Sequence, residues 1–424
     1  MGVSRRIVLG AAVGACVSSL AGCDGNRGEA PRPVGSDGAS DVGVRGTSTH
    51  PTGGMAVSPA STPTPLHTAG VIGDGSSRDS GPQPHQPRAR RLAPGEEPPQ
   101  FVVLSWDGAG ETSAQLFSRF RGVAQELQGA MTFFLSGIYT LPEAKRMAYA
   151  PLQHPVGSSA IGFLSERSVH ATIAQLGLAW QEGHEIGTHF NGHFCGPGGV
   201  RRWSPADWDR EIDQAVGFVS NWRTYTGFTD LPPLPFDYAH ELIGGRTPCL
   251  EGQANLLRAT RVRGWRYDSS GTGTQVWPSR FATGLWNIPM QQIPFPGHRF
   301  EVLAMDYNMM YNQSRTPNGD PGMRPVWFRQ ARDAFLAGFQ RAYTTNRAPL
   351  IIGNHFEHWN GGIYMEAIIQ AATRMALYPS VRFVSFRQLI DWLEAQDPKV
   401  LRRLQSLPVG RPPAGGWAAF FSAS

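Results

Sequence analysis

The sequence predicts an α/β fold in which buried parallel strands alternate with amphipathic helices in a barrel-like arrangement. Three continuous apolar runs, at residues 101–105, 131–135 and 349–353, have the composition of strands covered on both faces. Residues 113–127 and 207–225 instead repeat their apolar side chains at helical spacing. Strands that alternate with helices favour a parallel sheet, and the chemistry of such folds gathers at the carboxyl ends of the strands.

The last predicted strand and helix complete this pattern. Val381–Val384 is a short apolar strand, and Ser385 precedes a helix that continues through Leu393. Gln388 stands three residues after Ser385, so the two side chains are placed to form a capping box.

Composition divides the 424 residues into four segments. Residues 100–407 contain the alternating pattern and predict one globular domain. Residues 24–99 are rich in Gly, Pro, Ser and Thr, and they predict a disordered linker because so few apolar side chains cannot offset the entropy of ordering. Residues 1–23 predict an export signal, and residues 408–424 a C-terminal tail.

The N-terminal segment has the pattern of an exported lipoprotein. A basic start is followed by an apolar run at Ile7–Leu20 that is too short to span a bilayer comfortably. Leu20–Cys23 resembles a bacterial lipobox, which implies a lipid on Cys23 and an anchor in the bacterial cell membrane that faces the envelope. An ordinary secretory signal is the alternative, and Arg5-Arg6 also resembles a twin-arginine signal.

Net charge and cysteine content limit the kinds of binding partner and of covalent cross-link that the chain can have. The net charge is +5, but no basic run is interleaved with aromatic residues, which argues against nucleic-acid binding. We expect a monomer. Cys195 and Cys249 are the two cysteines of the globular domain, and an exported protein favours a disulfide over two free thiols.

Two histidines four residues apart give the strongest chemical signal. On a helical turn, His189 and His193 would project from one face and bind a divalent metal. The protease pattern His-Glu-x-x-His fails, because Thr188 occupies the position of its second histidine. Two solvated loop histidines are the alternative.

Other polar residues follow predicted strands or turns. Asp107 ends the first strand, Arg246 follows a Gly-Gly turn, Asp268 ends a short apolar segment, and His355 ends a late strand. Taken singly, each of these residues could have a purely structural role; an aspartate at a strand end, for example, is often a helix cap. Together, at the ends of strands in an alternating chain, they predict one shared site.

This order of motifs resembles the polysaccharide deacetylases, also called the NodB-homology or carbohydrate esterase family 4 group. The resemblance covers about residues 100–394, and Gly183–His193 is its most specific part. It implies a distorted (β/α)7–8 barrel of the deacetylase type. The matching segments are residues 101–110, 130–137, 183–193, 246–248, 267–270, 352–355 and 382–389.

The resemblance also implies a reaction. The chain would remove N-acetyl groups from an N-acetylhexosamine polysaccharide of the envelope, with His189 and His193 holding a divalent metal, Zn or else Co, Mn or Ni. Asp107 would be the general base or a third ligand, His355 would protonate the departing amine, and Arg246 would orient the base. The residues expected to contact the glycan are Trp106, Pro248, Asp268 and Trp359.

One departure from the family pattern concerns its two adjacent aspartates, a base followed by a metal ligand. Here Gly108 follows Asp107. An ungapped alignment makes Asp107 the base, whereas a shift by one residue makes it the ligand and places Trp106 at the base position. We prefer the ungapped version because it keeps the strand register, and Glu111 is a candidate substitute carboxylate.

Asp268 is the carboxylate expected beside His355, where it would favour the protonated imidazole.

Two other functions stay open. One is hydrolysis of a C–N bond in a small amide on the same fold, and the other is glycan binding without catalysis.

Overall fold

The computed structural model describes residues 70–422, which form a mixed α/β domain around a parallel sheet, as the sequence predicted. The strands are β1 Gly70–Ile72, β2 Ser77–Asp79, β3 Gln100–Asp107, β4 Thr132–Leu135, β5 Glu185–Thr188, β6 Tyr267–Asp268, β7 Thr272–Gly273, β8 Ser279–Arg280, β9 Trp286–Asn287, β10 Met290–Pro294, β11 Glu301–Leu303, β12 Leu350–His355 and β13 Val381–Phe383.

Helices lie between and around these strands. They are α1 Leu116–Glu126, α2 Glu166–Gln181, α3 Pro205–Ser220, α4 Trp222–Thr226, α5 Tyr238–Glu241, α6 Gln253–Ala259, α7 Asp306–Gln313, α8 Arg324–Tyr343, α9 Trp359–Met375, α10 Phe386–Ala395, α11 Pro398–Gln405 and α12 Gly416–Ser422. Within residues 70–422, none of them is both long and apolar enough to cross a bilayer.

The central sheet is built around β3, and all of its pairings are parallel. β12 pairs along one edge of β3 through residues 102–107. The other edge is shared by β13 at the beginning of the strand and by β4 at its end. β5 continues the sheet beyond β4. Every residue of β3 is buried, as expected for an apolar strand covered on both faces.

Single backbone hydrogen bonds continue this sheet into a ring. Within residues 70–422 the regular ladder does not close a barrel, so the distortion that the sequence predicted is strong. The bonds that lead round from β5 to β12 are Arg246 N to Thr188 O, Ser269 N to Gly245 O, Ile288 N to Asp268 O, Ala304 N to Gln291 O, and Gly353 N to Ala304 O.

The two faces of β3 have different neighbours because side chains alternate along a strand. Trp106 lies in the helix-covered layer, where its ring packs on Phe120 of α1. Asp107 points instead into the ring, towards Arg246. The parallel register places Asp107 opposite His355 of β12, so these two strand ends share the interior of the ring.

The predicted helices are present with different bounds. α1 lies inside the predicted segment 113–127, and the predicted helix at 207–225 is divided at Asn221 into α3 and α4, which together span residues 205–226. The predicted capping box of α10 is confirmed, since Ser385 and Gln388 each accept from the other's backbone N–H.

Residues 70–99 differ from the prediction of a disordered linker, because they pack against the domain. Trp222 Nε1 donates to the Ser76 carbonyl at 2.7 Å, and Gln83 Nε2 donates to the His184 carbonyl at 2.7 Å. These bonds join residues far apart in sequence, so composition does not reveal them. The predicted C-terminal tail includes α12, whose Trp417 packs on the core. Residues 24–69 and the predicted signal with Cys23 lie outside the described residues.

A substitution at Gly244 tests how closely the segment that carries Arg246 packs against its neighbours. An added Cβ at Gly244 would lie 2.2 Å from Cε1 of the buried Tyr267 ring. We expect Gly244→Ala to lower the free energy of unfolding by roughly 1–3 kcal/mol, measured as a lower urea midpoint.

The matched control is Gly217→Ala in α3, where an added Cβ would have no atom within 4 Å. Removing glycine from a helix interior is expected to raise stability by up to about 1 kcal/mol. Equal midpoints for the two variants would contradict the close approach of Gly244 to Tyr267.

Candidate functional site

The two histidines of the predicted metal pair lie together, but on a loop. β5 ends at Thr188, and the backbone then turns with positive φ at Phe190 (62°) and His193 (56°). The ring centroids of His189 and His193 are 5.0 Å apart. The prediction that they share a helical turn was therefore wrong, and a tight loop brings them together instead.

Buried polar contacts hold this loop from behind. Asn191 Nδ2 donates to the Glu211 carbonyl at 2.9 Å, and Gly192 N donates to the Tyr149 hydroxyl at 3.0 Å. Tyr149 in turn donates to the carboxylate of Glu211 at 3.0 Å. Burial raises the pKa of Glu211 to about 7. Tyr149 and Glu211 could not be predicted from the sequence, since nothing near them in the chain marks a site.

Both imidazoles suit a metal ion. His189 Nδ1 lies 2.8 Å from the Arg246 carbonyl, which can only accept, so Nδ1 carries the proton. Nε2 of His189 is then a buried lone pair without a partner among residues 70–422. Burial lowers the pKa of His189, and burial together with His189 and His355 lowers the pKa of His193 to about 3. Neutral imidazoles, one oriented by a carbonyl, are the form that binds a divalent ion.

Arg246 and Asp107 form a buried ion pair in the interior of the ring. Arg246 Nη1 donates to Asp107 Oδ1 at 2.7 Å and to the Ser105 hydroxyl at 3.0 Å. Nη2 donates to the Ser269 hydroxyl at 2.9 Å, and the guanidinium lies 4.8 Å from the centroid of the Phe134 ring. Burial opposes ionisation of Asp107, but the positive charges of Arg246 and His355 and the hydrogen bond from Arg246 hold its pKa below the usual value.

Asp306, and not Asp268, is the partner of His355. Asp306 Oδ1 lies 2.8 Å from His355 Nδ1, and its Oδ2 accepts from His355 N at 2.7 Å. Burial opposes protonation of His355, but the Asp306 charge and hydrogen bond, with Asp107 beyond, raise the pKa of His355 to about 9. His355 is therefore a cation at neutral pH.

Asp268 has a different role. Its carboxylate accepts from the Ser270 hydroxyl at 2.7 Å and from Gln253 Nε2 at 2.6 Å, and it is fully buried. The expected contact of Asp268 with His355 was wrong, because Asp306 occupies that position. Asp306 was missed since it lies within the long segment 271–345, where no motif stands out. Its only signal was a carboxylate directly after a short strand.

Two of the other predicted substrate contacts are buried. Trp106 is fully buried in the helix-covered layer, where it stacks on Phe356 at 4.8 Å, so it cannot reach a glycan in the ring. Pro248 is also buried. Trp359 does lie beside the site, with its ring centroid 5.2 Å from that of His355.

Glu111 is engaged elsewhere, and Gly353 leaves room for Arg246. Glu111 accepts from Ser118 N in α1 at 2.8 Å, so its carboxylate serves that helix and not the place beside Asp107. At Gly353 an added Cβ would lie 3.0 Å from Arg246 Nη1. A side chain at this position would therefore force the guanidinium to shift.

Cys195 and Cys249, the candidate pair in the sequence, form a disulfide with a Cα–Cα distance of 6.1 Å. Cys195 Sγ lies 3.8 Å from His193 Nδ1, so the three side chains form a His-Cys-Cys group. Disulfide sulfurs are not thiolates, and this group does not supply metal ligands while the bond is intact. The disulfide instead ties the His193 loop to the segment after Arg246.

Comparison with known proteins gives weak similarities. No protein-family profile and no curated protein sequence matches the chain. Similar solved structures include a candidate polysaccharide deacetylase from Mycobacterium smegmatis, with TM-score 0.45 and 14% identity over 76% of this chain and 99% of that one. The allantoinase Puue has TM-score 0.42 and 14% identity over 78% and 98%.

A third structure is a family 4 acetyl xylan esterase from Clostridium thermocellum in complex with a cobalt ion. It has TM-score 0.37 and 15% identity over 71% of this chain and 96% of that one. Similarities this weak assign no role to any residue here, so the function is inferred from the chain's own geometry.

The disulfide is expected to contribute strongly to stability because it spans 54 residues. A double variant, Cys195→Ser with Cys249→Ser, should lose about 2–4 kcal/mol of unfolding free energy. Thermal unfolding with and without dithiothreitol measures this: reductant should lower the Tm of the wild type and leave the double variant unchanged. A wild-type Tm that stays the same after full reduction of the disulfide would contradict the expectation.

Proposed function

We propose that the chain is a metal-dependent hydrolase that removes acetyl groups from N-acetylhexosamine units of an envelope polysaccharide, either peptidoglycan or an exopolysaccharide. One observation carries this proposal. His189 and His193 lie side by side, Arg246 contacts His189 through its carbonyl and Asp107 through its guanidinium, and the strand register sets Asp107 opposite His355. These groups are a ligand pair, a proton acceptor and a proton donor, which amide hydrolysis requires.

His189 and His193 would hold the metal ion, with a carboxylate or water completing its shell. The free Nε2 of buried His189 supports this assignment. When bound, Zn would polarise the amide carbonyl and make water more acidic; two imidazoles also suit Co, Mn or Ni.

Asp107 is assigned as the general base. Arg246 bonds to Oδ1, which keeps the carboxylate ionised and leaves Oδ2 to accept a proton. The strand register supports the ungapped alignment, because Trp106, which the shifted alignment puts at the base position, faces the helix-covered layer. Arg246 is a positioning residue, since it acts on the substrate only through Asp107.

His355 is assigned as the general acid. Asp306 binds Nδ1, so Nε2 is the atom left to donate a proton to the departing amine. The raised pKa of His355, about 9, keeps that proton in place at neutral pH. An amine leaves far more readily once it is protonated, and the donation leaves His355 neutral until it takes up another proton.

We also propose that the protein acts as a monomer in the envelope, anchored to the cell membrane by a lipid on Cys23. The lipobox-like Leu20–Cys23 supports the anchor. The Cys195–Cys249 disulfide supports an oxidising compartment outside the cytoplasm.

The single carboxylate favours a second candidate, a glycan-binding protein without hydrolysis. Gly108 supplies no side chain beside Asp107, and Asp107 is already engaged by Arg246. In that case a metal ion would be held weakly or not at all.

Metal content and acetate release test the proposal together. The purified wild type should contain about one divalent ion per chain and release acetate from N-acetylglucosamine oligomers. His193→Ala should lose the metal, whereas Asp107→Asn should keep it and lose activity by at least about a hundredfold.

The control is His170→Ala, which alters a surface histidine paired with Asp230 and should leave both readouts unchanged. Glycan binding without acetate release under any metal supply would support the non-catalytic candidate. Release of ammonia or carboxylate from small ureides or formamides, without deacetylation, would replace the glycan substrate with a small amide.

The Asp306–His355 pair predicts the alkaline side of the pH profile. His355 acts as an acid only while protonated, so activity should persist below its pKa and fall as the pH rises through about 9. Asp306→Asn removes the charge that stabilises the imidazolium, and the loss should move at least one pH unit lower, towards the ordinary value of about 6.5.

Asp268→Asn is the matched control, since this second buried carboxylate makes its bonds with Ser270 and Gln253. The alkaline side of the pH–activity profile of this variant should coincide with that of the wild type. The assignment of Asp306 fails if the two variants shift the profile equally.

A further inference from the structure

Exposed aromatic rings extend away from His355 along α7. Tyr307 and Tyr311 stand one turn apart, with ring centroids 6.4 Å apart and an interplanar angle of 21°. The Trp359 ring lies 5.8 Å from that of Tyr307 and 5.2 Å from that of His355. Trp359, Tyr307 and Tyr311 therefore form a continuous row, called here the aromatic row, that begins at the proposed general acid.

The two tyrosines do not serve the core. Tyr307 is 43% exposed and Tyr311 53% exposed, whereas Met309 and Met310 supply the buried face of α7. Neither tyrosine hydroxyl has a hydrogen-bond partner within residues 70–422, while the buried Tyr364 nearby bonds to Gln313 at the end of α7. Two adjacent, exposed rings whose hydroxyls have no partner within the described residues are available to a ligand.

α7 also fixes the position of the aromatic row relative to His355. Its first residue, Asp306, binds both the backbone N–H and the imidazole of His355. Tyr307 follows directly, and its ring centroid lies 6.5 Å from that of His355. A ligand on the row is thereby held at a fixed distance from the proton donor.

We propose that the aromatic row is a binding platform on which neighbouring sugar rings of one N-acetylated glycan chain stack while another unit occupies the reaction site. This rests on the proposed function and adds the place where the polymer chain lies beyond the reaction site. The C–H faces of pyranose rings pack on aromatic rings, and the free tyrosine hydroxyls can exchange hydrogen bonds with sugar hydroxyls. A small amide would be too short to contact both His355 and Tyr311.

Chain-length dependence tests the platform. The ratio of kcat/KM for the N-acetylglucosamine hexasaccharide to that for the disaccharide should fall about tenfold in Tyr307→Ala with Tyr311→Ala, mainly through KM. The double replacement by phenylalanine should restore most of the ratio because the rings remain. Tyr378→Ala removes a 39% exposed tyrosine beyond the opposite end of α9 and should leave the ratio unchanged.

Hexasaccharide affinity is measured in parallel by calorimetry in the Asp107→Asn background, so that turnover does not interfere. Acetate release with an unchanged ratio overturns the platform and leaves the proposed function standing. No acetate release, but weaker hexasaccharide binding after loss of the two tyrosines, supports the platform and rejects the deacetylase. Absence of hexasaccharide binding in the Asp107→Asn protein with both tyrosines intact also overturns the platform.

Discussion

The buried ion pair between Arg246 and Asp107 is the interaction on which the rest of the site depends. Arg246 has no exposed surface, and its guanidinium bonds to groups from two separate strand ends, β3 and the segment after β6. Removing one partner from such a pair leaves an uncompensated buried charge, which costs about 3–5 kcal/mol. The backbone carbonyl of Arg246 also orients His189. One residue therefore fixes the ionisation of the carboxylate and the tautomer of an imidazole.

The charges of the site are arranged in two pairs that leave His189 and His193, the proposed ligands, neutral. Arg246 balances Asp107, and Asp306 balances the protonated His355. Burial beside these pairs favours the uncharged form of His189 and His193. A cation that approached the two imidazoles would meet their lone pairs and the carboxylate of Asp107.

The regular and the irregular parts of the ring both supply the chemistry. The strands β3 and β12 of the parallel sheet end at Asp107 and His355, and β5 ends just before His189, whereas Arg246 and Asp306 lie on segments joined to that sheet by isolated bridges. Isolated bridges contribute little pairing energy, so other contacts must position these segments. The disulfide supports the His193 loop, and Gly353 leaves room for the guanidinium.

Local pattern alone determined the α/β order, the strands β3, β4 and β12, the capping of α10, and Asp107 and His355 as polar residues at strand ends. These features depend on periodicity and on neighbours close in sequence, which a single chain displays directly. Only the tertiary structure decided that Asp306 rather than Asp268 meets His355, that Trp106 faces the helices, and that residues 70–99 pack on the domain. Each of those outcomes depends on contacts between residues distant in sequence, where strand register and loop path select one of several equally polar or aromatic candidates.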